Sequence, residues 1–277
     1  MLVGAFRHAL SFSPDGAQCS LLTDAHCFCM TAPSSSVTTA PLLALDRVSL
    51  ERGTTQIFDN LSLQLPEHRI GLIGDNGAGK TSLLRLLCGL EEPCSGQVLS
   101  SGKNLHDSSA ERVRWVGMMF QNPDDQIIFP TVIEELALGL QPQGLSKKEA
   151  KQQALHFLQE RGLQDWADRA VTSLSQGQRQ HVCWLALLLA GPRSLLLDEP
   201  YASLDLPSQA LLAHDMAQAK QQIIVSTHLL DHVRPFPRVI WLDQGHIRGD
   251  GTGYEVCAAY EASVRERIAT TTAHYNY

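Results

Sequence analysis

Two stretches of this chain combine residue types that hold phosphate and activate water. Gly74-Asp75-Asn76-Gly77-Ala78-Gly79-Lys80-Thr81 reads G-x-x-x-x-G-K-T, and Ser82 follows it. The pattern carries meaning only between a strand and a helix. The apolar run Ile70–Ile73 predicts the buried strand, and about Gly79 to Cys88, stopped at Gly89, predicts the helix. Gly74, Gly77 and Gly79 permit backbone angles that turn successive N–H groups onto a phosphate, and the helix dipole adds its positive end. Lys80 can reach the terminal phosphates of a nucleotide, and the Thr81 hydroxyl can ligate magnesium. A chance glycine turn before a helix would look similar. The presence of both flanks favours nucleotide binding.

The second stretch, Leu195–Pro200, ends an apolar strand in two carboxylates. Asp198 can join a magnesium shell, and Glu199 can orient an attacking water or accept its proton. Acidic turns after core strands are common, so this pair gains its meaning from the phosphate loop ahead of it. A third stretch, Ser173–Gln180 (SLSQGQRQ), sets Ser175, Gln176, Gly177 and Gln178 at the start of a long apolar helix. Free N–H groups and a hydroxyl at a positive helix end would make a second anion site, too far along the chain to belong to the first. Ser175 taken singly would be an ordinary N-cap. Two such helix starts in one chain point to phosphate at both.

The elements that must position these residues begin at Leu43. Leu43–Arg52 and the alternating Leu61–Leu65 read as half-buried antiparallel strands, and Gly96–Leu99 and Arg112–Met119 as further strands leading to Gln121. Residues 121–192 are helical in pattern. Val132–Leu140 is a short helix, Ser146–Glu149 is a capping box for a helix ending near Gly162, and Gln176–Ala190 is closed by Gly191 and Pro192. This segment reads as a helical lobe inserted into a nucleotide-binding core. Beyond it come a strand at Ser194–Leu197, a helix around Ser208–Lys220, a strand at Ile223–Ser226 and a hairpin of Val239–Leu242 with His246–Arg248. One helix from about Cys257 and a disordered tail at 266–277 complete the expectation.

Residues 1–40 lack periodicity and end in a Ser/Thr/Pro-rich linker. Cys19, His26, Cys27 and Cys29 lie close together there but match no zinc spacing. Translation from Met30, with the first 29 residues an upstream artefact, is an alternative reading of this extension. The 277 residues, 44% of them hydrophobic, suffice for one sizeable core or two joined lobes. A net charge of −7 gives no support to nucleic-acid binding. The longest apolar run, Val182–Ala190, falls far short of the roughly 20 residues of a membrane helix. Any membrane role would then be peripheral, through a partner. Seven scattered cysteines suit a reducing cytoplasm better than a disulfide framework.

Taken in order, these motifs resemble those of the ATP-binding-cassette ATPases over about residues 42–255. GDNGAGKT resembles the Walker A motif, LLLDE the Walker B motif, and LSQGQ the signature LSGGQ with Gln176 in place of its first glycine. Gln121 resembles the Q-loop residue, Ser203-Leu204-Asp205 the D-loop, and His228 the switch histidine. The resemblance implies an α/β P-loop NTPase core with an antiparallel β subdomain and an inserted helical subdomain. The expected domains are a poorly ordered extension at 1–40, the cassette at 41–265 and a tail at 266–277. ATP and Mg²⁺ are the implied cofactors, with Gly74 through Ser82, Ser175–Gln178 and Asp205 at the nucleotide. Thr81, Gln121 and Asp198 would serve the metal, and Lys80, Gln121, Glu199 and His228 catalysis. Two cassettes, a homodimer with two competent sites, would sandwich two ATP molecules. Lys80, Thr81 and Asp198 of one would face Ser175, Gly177 and Gln178 of the other. The family's adenine-stacking aromatic is missing around Leu50–Gly53, which implies looser base binding.

The stretch Gln121–Leu140 resembles the Q-loop region of energy-coupling-factor ATPases, and LPEHRIGLIGDNG, LSQGQRQ and LDEPYASLDLPSQ look most like the ATPase of biotin transporters. Cobalt and nickel importers share much of the same stretch. A transmembrane coupling subunit and a substrate-capturing membrane subunit are the implied partners. The chain would sit at the cytoplasmic face of the cell membrane, with the segment Gln121–Thr131 docking the coupling subunit. Its apolar Phe129 and Pro130 would otherwise pack against the chain's own helices, and polar replacement of Ile127 and Phe129 separates the two readings. A soluble repair or translation ATPase would normally show a long coiled-coil insertion or a second cassette. A non-catalytic nucleotide module would be expected to lose Glu199 or His228. Neither pattern occurs here.

Overall fold

The computed structural model describes residues 42–107, 109–202 and 204–274. The extension at 1–40, with its cysteine cluster and Met30, therefore lies outside the described residues, as do Ser203 and the last residues of the tail. In chain order, β1 (Leu43–Arg52) and β2 (Thr55–Leu65) form an antiparallel hairpin. Leu61, Leu63 and Leu65 are buried while Ser62 and Gln64 are exposed, the alternation expected of a one-sided strand. β3 (Arg69–Ile73) leads to α1 (Lys80–Leu87), followed by β4 (Ser95–Ser100) and the short β5 (Lys103–Asn104). These strands give a four-stranded sheet in the order β2-β1-β4-β5.

α2 (Ser109–Trp115) and β6 (Val116–Met119) occupy the stretch read from sequence as one strand over Arg112–Met119. The first half is helical instead. There the Arg112 guanidinium donates to the Gly89 carbonyl at 2.8 Å, satisfying an oxygen just past the end of α1, and Trp115 packs into the core. Alternating Arg, Val, Arg and Trp mimicked a strand while serving these contacts.

The helical lobe holds α3 (Val132–Leu138), α4 (Lys147–Gln159) and α5 (Gln176–Ala190), with Val132, Leu136, Ala150, Ala154, Leu158 and Val182 in a core of its own. The Ser146–Glu149 capping box forms as predicted: Ser146 Oγ accepts from the Glu149 N–H and Glu149 Oε2 from the Ser146 N–H. At the lobe's entry the buried Glu135 carboxylate accepts the N–H groups of Ile128 and Phe129, both at 2.9 Å. Ile127 packs against two cores, whereas Ile128 is 74% exposed. The outward apolar residue of this loop is thus Ile128 rather than Ile127.

β7 (Ser194–Asp198), α6 (Leu206–Gln218), β8 (Gln222–Ser226), β9 (Arg238–Asp243), β10 (His246–Gly251) and α7 (Gly253–His274) complete the chain. They build a six-stranded sheet in the order β10-β9-β3-β8-β7-β6, parallel except for β10. Both faces of its central strands are covered. Leu196 and Ile224 pack toward β1, β2 and α1, while Leu195, Leu197, Ile223 and Val225 pack toward α5, α6 and α7. The terminal helix starts earlier than Cys257 and passes through residue 265 unbroken, where the sequence suggested a boundary between cassette and tail. A capping box starts it: Thr252 Oγ1 accepts from the Glu255 N–H, and Glu255 Oε2 from the Thr252 N–H.

Candidate functional site

Parallel strands deliver their carboxyl ends to one edge of a sheet, and ligands of open α/β sheets collect there. At that edge β3, β7 and β8 end beside one another, with Leu72 opposite Ser226 and Asp198 opposite Ser226 in register. The cavity they border has a volume of about 720 Å³. Gly74, Asp75, Asn76, Gly77, Gly79, Lys80, Thr81 and Ser82 line one side of it. Gln121, Asp198, Glu199 and His228 line the other. Ala78, the remaining loop residue, turns into the core at 4% exposure.

Two glycines of the loop are required by geometry. Gly74 has φ 144°, and a Cβ there would lie 2.1 Å from the Leu242 carbonyl oxygen. Gly79 caps α1 with φ 105° and carries no side chain to satisfy the helix's first N–H groups. Those donors face the cavity with the positive end of the helix behind them. Lys80 is 8% exposed, and its ammonium donates to the carbonyls of Gly74 at 2.8 Å and Asp75 at 3.1 Å. Burial lowers its pKa, while the carboxylates of Glu199, Asp198 and Asp75 pull it back up.

The Thr81 hydroxyl donates to Asp198 Oδ2 at 2.8 Å, so two hard oxygen ligands already sit together at the loop. Among the described residues no three His, Cys, Asp or Glu side chains converge as a protein-only metal cage. One hydroxyl and one carboxylate are a fitting donor set for Mg²⁺, which usually takes its remaining oxygens from phosphate and water. Glu199 follows with φ 46°, an unfavourable conformation for a residue with a side chain, of order 1–3 kcal/mol. It is held there by its N–H on the Ser226 carbonyl at 2.8 Å. Glu199 Oε2 accepts the His228 N–H at 3.2 Å and lies 2.8 Å from His228 Nδ1. The carboxylate is mostly covered and the imidazole mostly exposed. A strained acid paired with a histidine at the mouth of a phosphate site is suited to handling one water molecule.

The residues of the third stretch do not join this cavity. Ser175, Gly177 and Gln178 line a separate pocket of about 220 Å³ with Trp166, His181, Leu204 and Ser208. The expectation of free N–H groups at this helix end holds for only part of the first turn. Ser175 Oγ accepts the Gln178 N–H at 3.2 Å, and Gln178 Oε1 accepts the Ser175 N–H at 3.0 Å. The box S-x-x-Q satisfies these two donors, a local chemistry that the sequence already spelled out, and does not reach the N–H groups of Gln176 and Gly177. Asp205 likewise caps α6, its carboxylate accepting the Ser208 N–H at 3.0 Å, which also lowers its pKa. Gln176 opens α5 behind its Ser175 cap.

Three lining residues escaped the sequence reading. Arg52 and Ile57 from the β1–β2 hairpin form the wall where no aromatic residue is present, and Arg52 is tied to Glu91 and to Ser82 Oγ at 3.4 Å. Tyr260 of α7 is the third. The hairpin turn at Gly53 could have drawn attention to Arg52, but no local signal marks Tyr260.

Comparison with known proteins places these observations. Residues 58–202 match the protein family described as ABC transporter. The biotin transport ATP-binding protein BioM of Rhodobacter capsulatus is 41% identical over 221 residues, covering 80% of this chain and 94% of that protein. The energy-coupling factor transporter ATP-binding protein EcfA of Methanoculleus marisnigri is 34% identical over 235 residues, covering 80% and 83%. In fold, the structure of cbiO1 from Clostridium perfringens superposes with a TM-score of 0.68 at 23% identity, covering 84% of this chain and 99% of that one.

Proposed function

The chain belongs to the ABC transporter family as an ATPase of the energy-coupling-factor type, and from that premise we propose that it energises the uptake of biotin by a membrane importer. The observation that carries ATP hydrolysis is the convergence of Lys80, Thr81, Asp198, Glu199, His228 and Gln121 on one cavity. Biotin as the solute is supported by the likeness to BioM over nearly the whole of that relative.

The geometry supports a role for each residue. The N–H groups of the loop and the Lys80 ammonium hold the β- and γ-phosphates, and Ser82 extends the cradle. Thr81, Asp198 and Gln121 would hold Mg²⁺, which would neutralise phosphate charge when bound. Glu199 orients the attacking water and takes its proton, and His228 fixes that carboxylate and reaches the γ-phosphate. Most of the effect is positioning and electrostatics, as phosphoryl transfer requires.

Ser175, Gln176, Gly177, Gln178 and Asp205 act on nucleotide held by a second copy of the cassette. Their separation from the first cavity within one chain supports this sandwich. No helix among the described residues is long and apolar enough to cross a membrane, so the solute's path belongs to membrane partners. These are a coupling subunit and a solute-capturing subunit, and the chain docks on them from the cytoplasmic face. The exposed Ile128, with Phe129 beside it, supports the lobe entry as the docking segment. The test is removal of this chain from cells that carry the partners. High-affinity biotin accumulation should fall to background and return with the wild-type chain. Unchanged biotin uptake with lost cobalt or nickel uptake would reassign the solute.

A further inference from the structure

Asp75 is an odd residue for a loop that wraps an anion. Its carboxylate borders the cavity with its side chain 42% exposed, and each negative charge near a triphosphate weakens binding. The terminal helix addresses this charge directly. The Tyr260 hydroxyl donates to Asp75 Oδ1 at 2.7 Å. The Arg267 guanidinium spans both oxygens, one nitrogen on Oδ2 and the other on Oδ1 at 3.2 Å. Such a fork on a carboxylate is the strongest form of the pair. Two turns of helix separate Tyr260 from Arg267, which puts both on one face. That face is anchored. The Tyr260 ring meets Trp241 edge-on at 5.4 Å, Val256 and Cys257 are in the core, and Arg234 of the preceding segment pairs with Glu261.

We propose that α7 is a charge-compensating strut for the phosphate loop, in which Tyr260 and Arg267 bind and neutralise Asp75 so that the loop retains its affinity for ATP. The inference rests on the triphosphate occupying this cavity. Tyr260 and Arg267 are positioning residues, acting on nucleotide through Asp75. Arg267 and then Tyr260 hold the Asp75 carboxyl down to about 2, so it stays ionised at any working pH and needs a cation rather than a proton.

The experiment is titration of the full chain with MgATP and MgADP at low salt, alongside steady-state hydrolysis. Arg267→Gln, a half-exposed surface change, should raise the Kd for ATP about tenfold and that for ADP less, and high salt should shrink both penalties. KM should rise while kcat at saturating ATP moves less than about twofold. Tyr260→Phe, which keeps the ring against Trp241, should shift Kd in the same direction by less. In the Asp75→Asn background, Arg267→Gln should have almost no further effect. An unchanged Kd in Arg267→Gln, or a penalty that persists in full beside Asp75→Asn, would overturn the strut. A wild-type chain that binds no ATP would instead overturn the nucleotide assignment of the cavity, and the strut with it.

Discussion

The helices α1 and α5 both begin among residues suited to phosphate, yet their first turns are built differently. α1 starts at Gly79, in a left-handed conformation with no side-chain cap, beside Lys80 and a cavity of about 720 Å³. α5 starts at Ser175, whose hydroxyl and backbone are locked in a reciprocal box with Gln178. A glycine-capped end keeps its donors for a ligand and depends on the surrounding core to hold it. Phe58, whose ring would lie 3.1 Å from a Cβ on Gly79, and Leu242 against Gly74 supply that hold. A Ser-capped end has two of its donors satisfied without a ligand. Its surface can be presented to another molecule, at a cost of about 1 kcal/mol if the cap must open. The first end is preorganised within this chain, and the second is the one we propose to meet nucleotide held by a second copy.

The largest effect that could break this contrast lies at the first site. Glu199→Gln should lower turnover by roughly 10²–10⁴-fold with ATP binding retained, because it removes the base and leaves the glycine-capped helix end intact. Lys80→Ala should do the opposite and lose binding first. Hydrolysis and nucleotide binding measured on both variants decide the matter. Wild-type-like turnover in Glu199→Gln would remove that carboxylate from the chemistry.

A smaller effect belongs to the second site. Ser175→Ala should cost about 1 kcal/mol of folding stability through the lost cap, read from a denaturation midpoint. It should leave the Kd for ATP of the separate chain untouched while depressing hydrolysis in the assembled protein. A weakened Kd in the separate chain would mean that both helix ends serve one nucleotide, and the contrast would fail.

The smallest change sharpens the same point. The one tight neighbour of a Cβ on Gly177 would be the Ser208 hydroxyl at 3.0 Å, with Ser208 Cβ and Leu204 Cδ2 in ordinary contact at 3.5 and 3.6 Å, at a backbone angle any residue adopts. Gly177→Ala should therefore shift stability by less than about 0.5 kcal/mol. A fall in assembled-state hydrolysis without a fall in stability would place a close ligand approach at this glycine. No change in either would make it a packing residue.

Much of the fold was legible in local pattern. The alternation of Leu61, Leu63 and Leu65, the caps at Ser146 and Ser175, and the helix stop at Gly191 all appear where short-range rules put them. The stretch from Arg112 to Trp115 was misread because its helical state is supported by Gly89 and the core, not by its own period. The extra length of α7 had a local signal in Thr252 and Glu255 that was overlooked. The role of Arg52 had almost none, since lining a cavity is a property of how a hairpin lies against α1.

The sequence by itself determined the phosphate loop, the acidic strand end and the capped helix start, because each depends on neighbours a few residues apart. Tertiary structure alone decided which of them meet. Thr81 reaches Asp198 across 117 residues, and Glu199 reaches His228 across 29, because parallel pairing of β3, β8 and β7 brings their ends to one edge. Arg267 reaches Asp75 across 192 residues because α7 packs along β9, the other neighbour of β3. Strand order and register set these encounters through burial of whole sheet faces, a long-range quantity that no local spacing records.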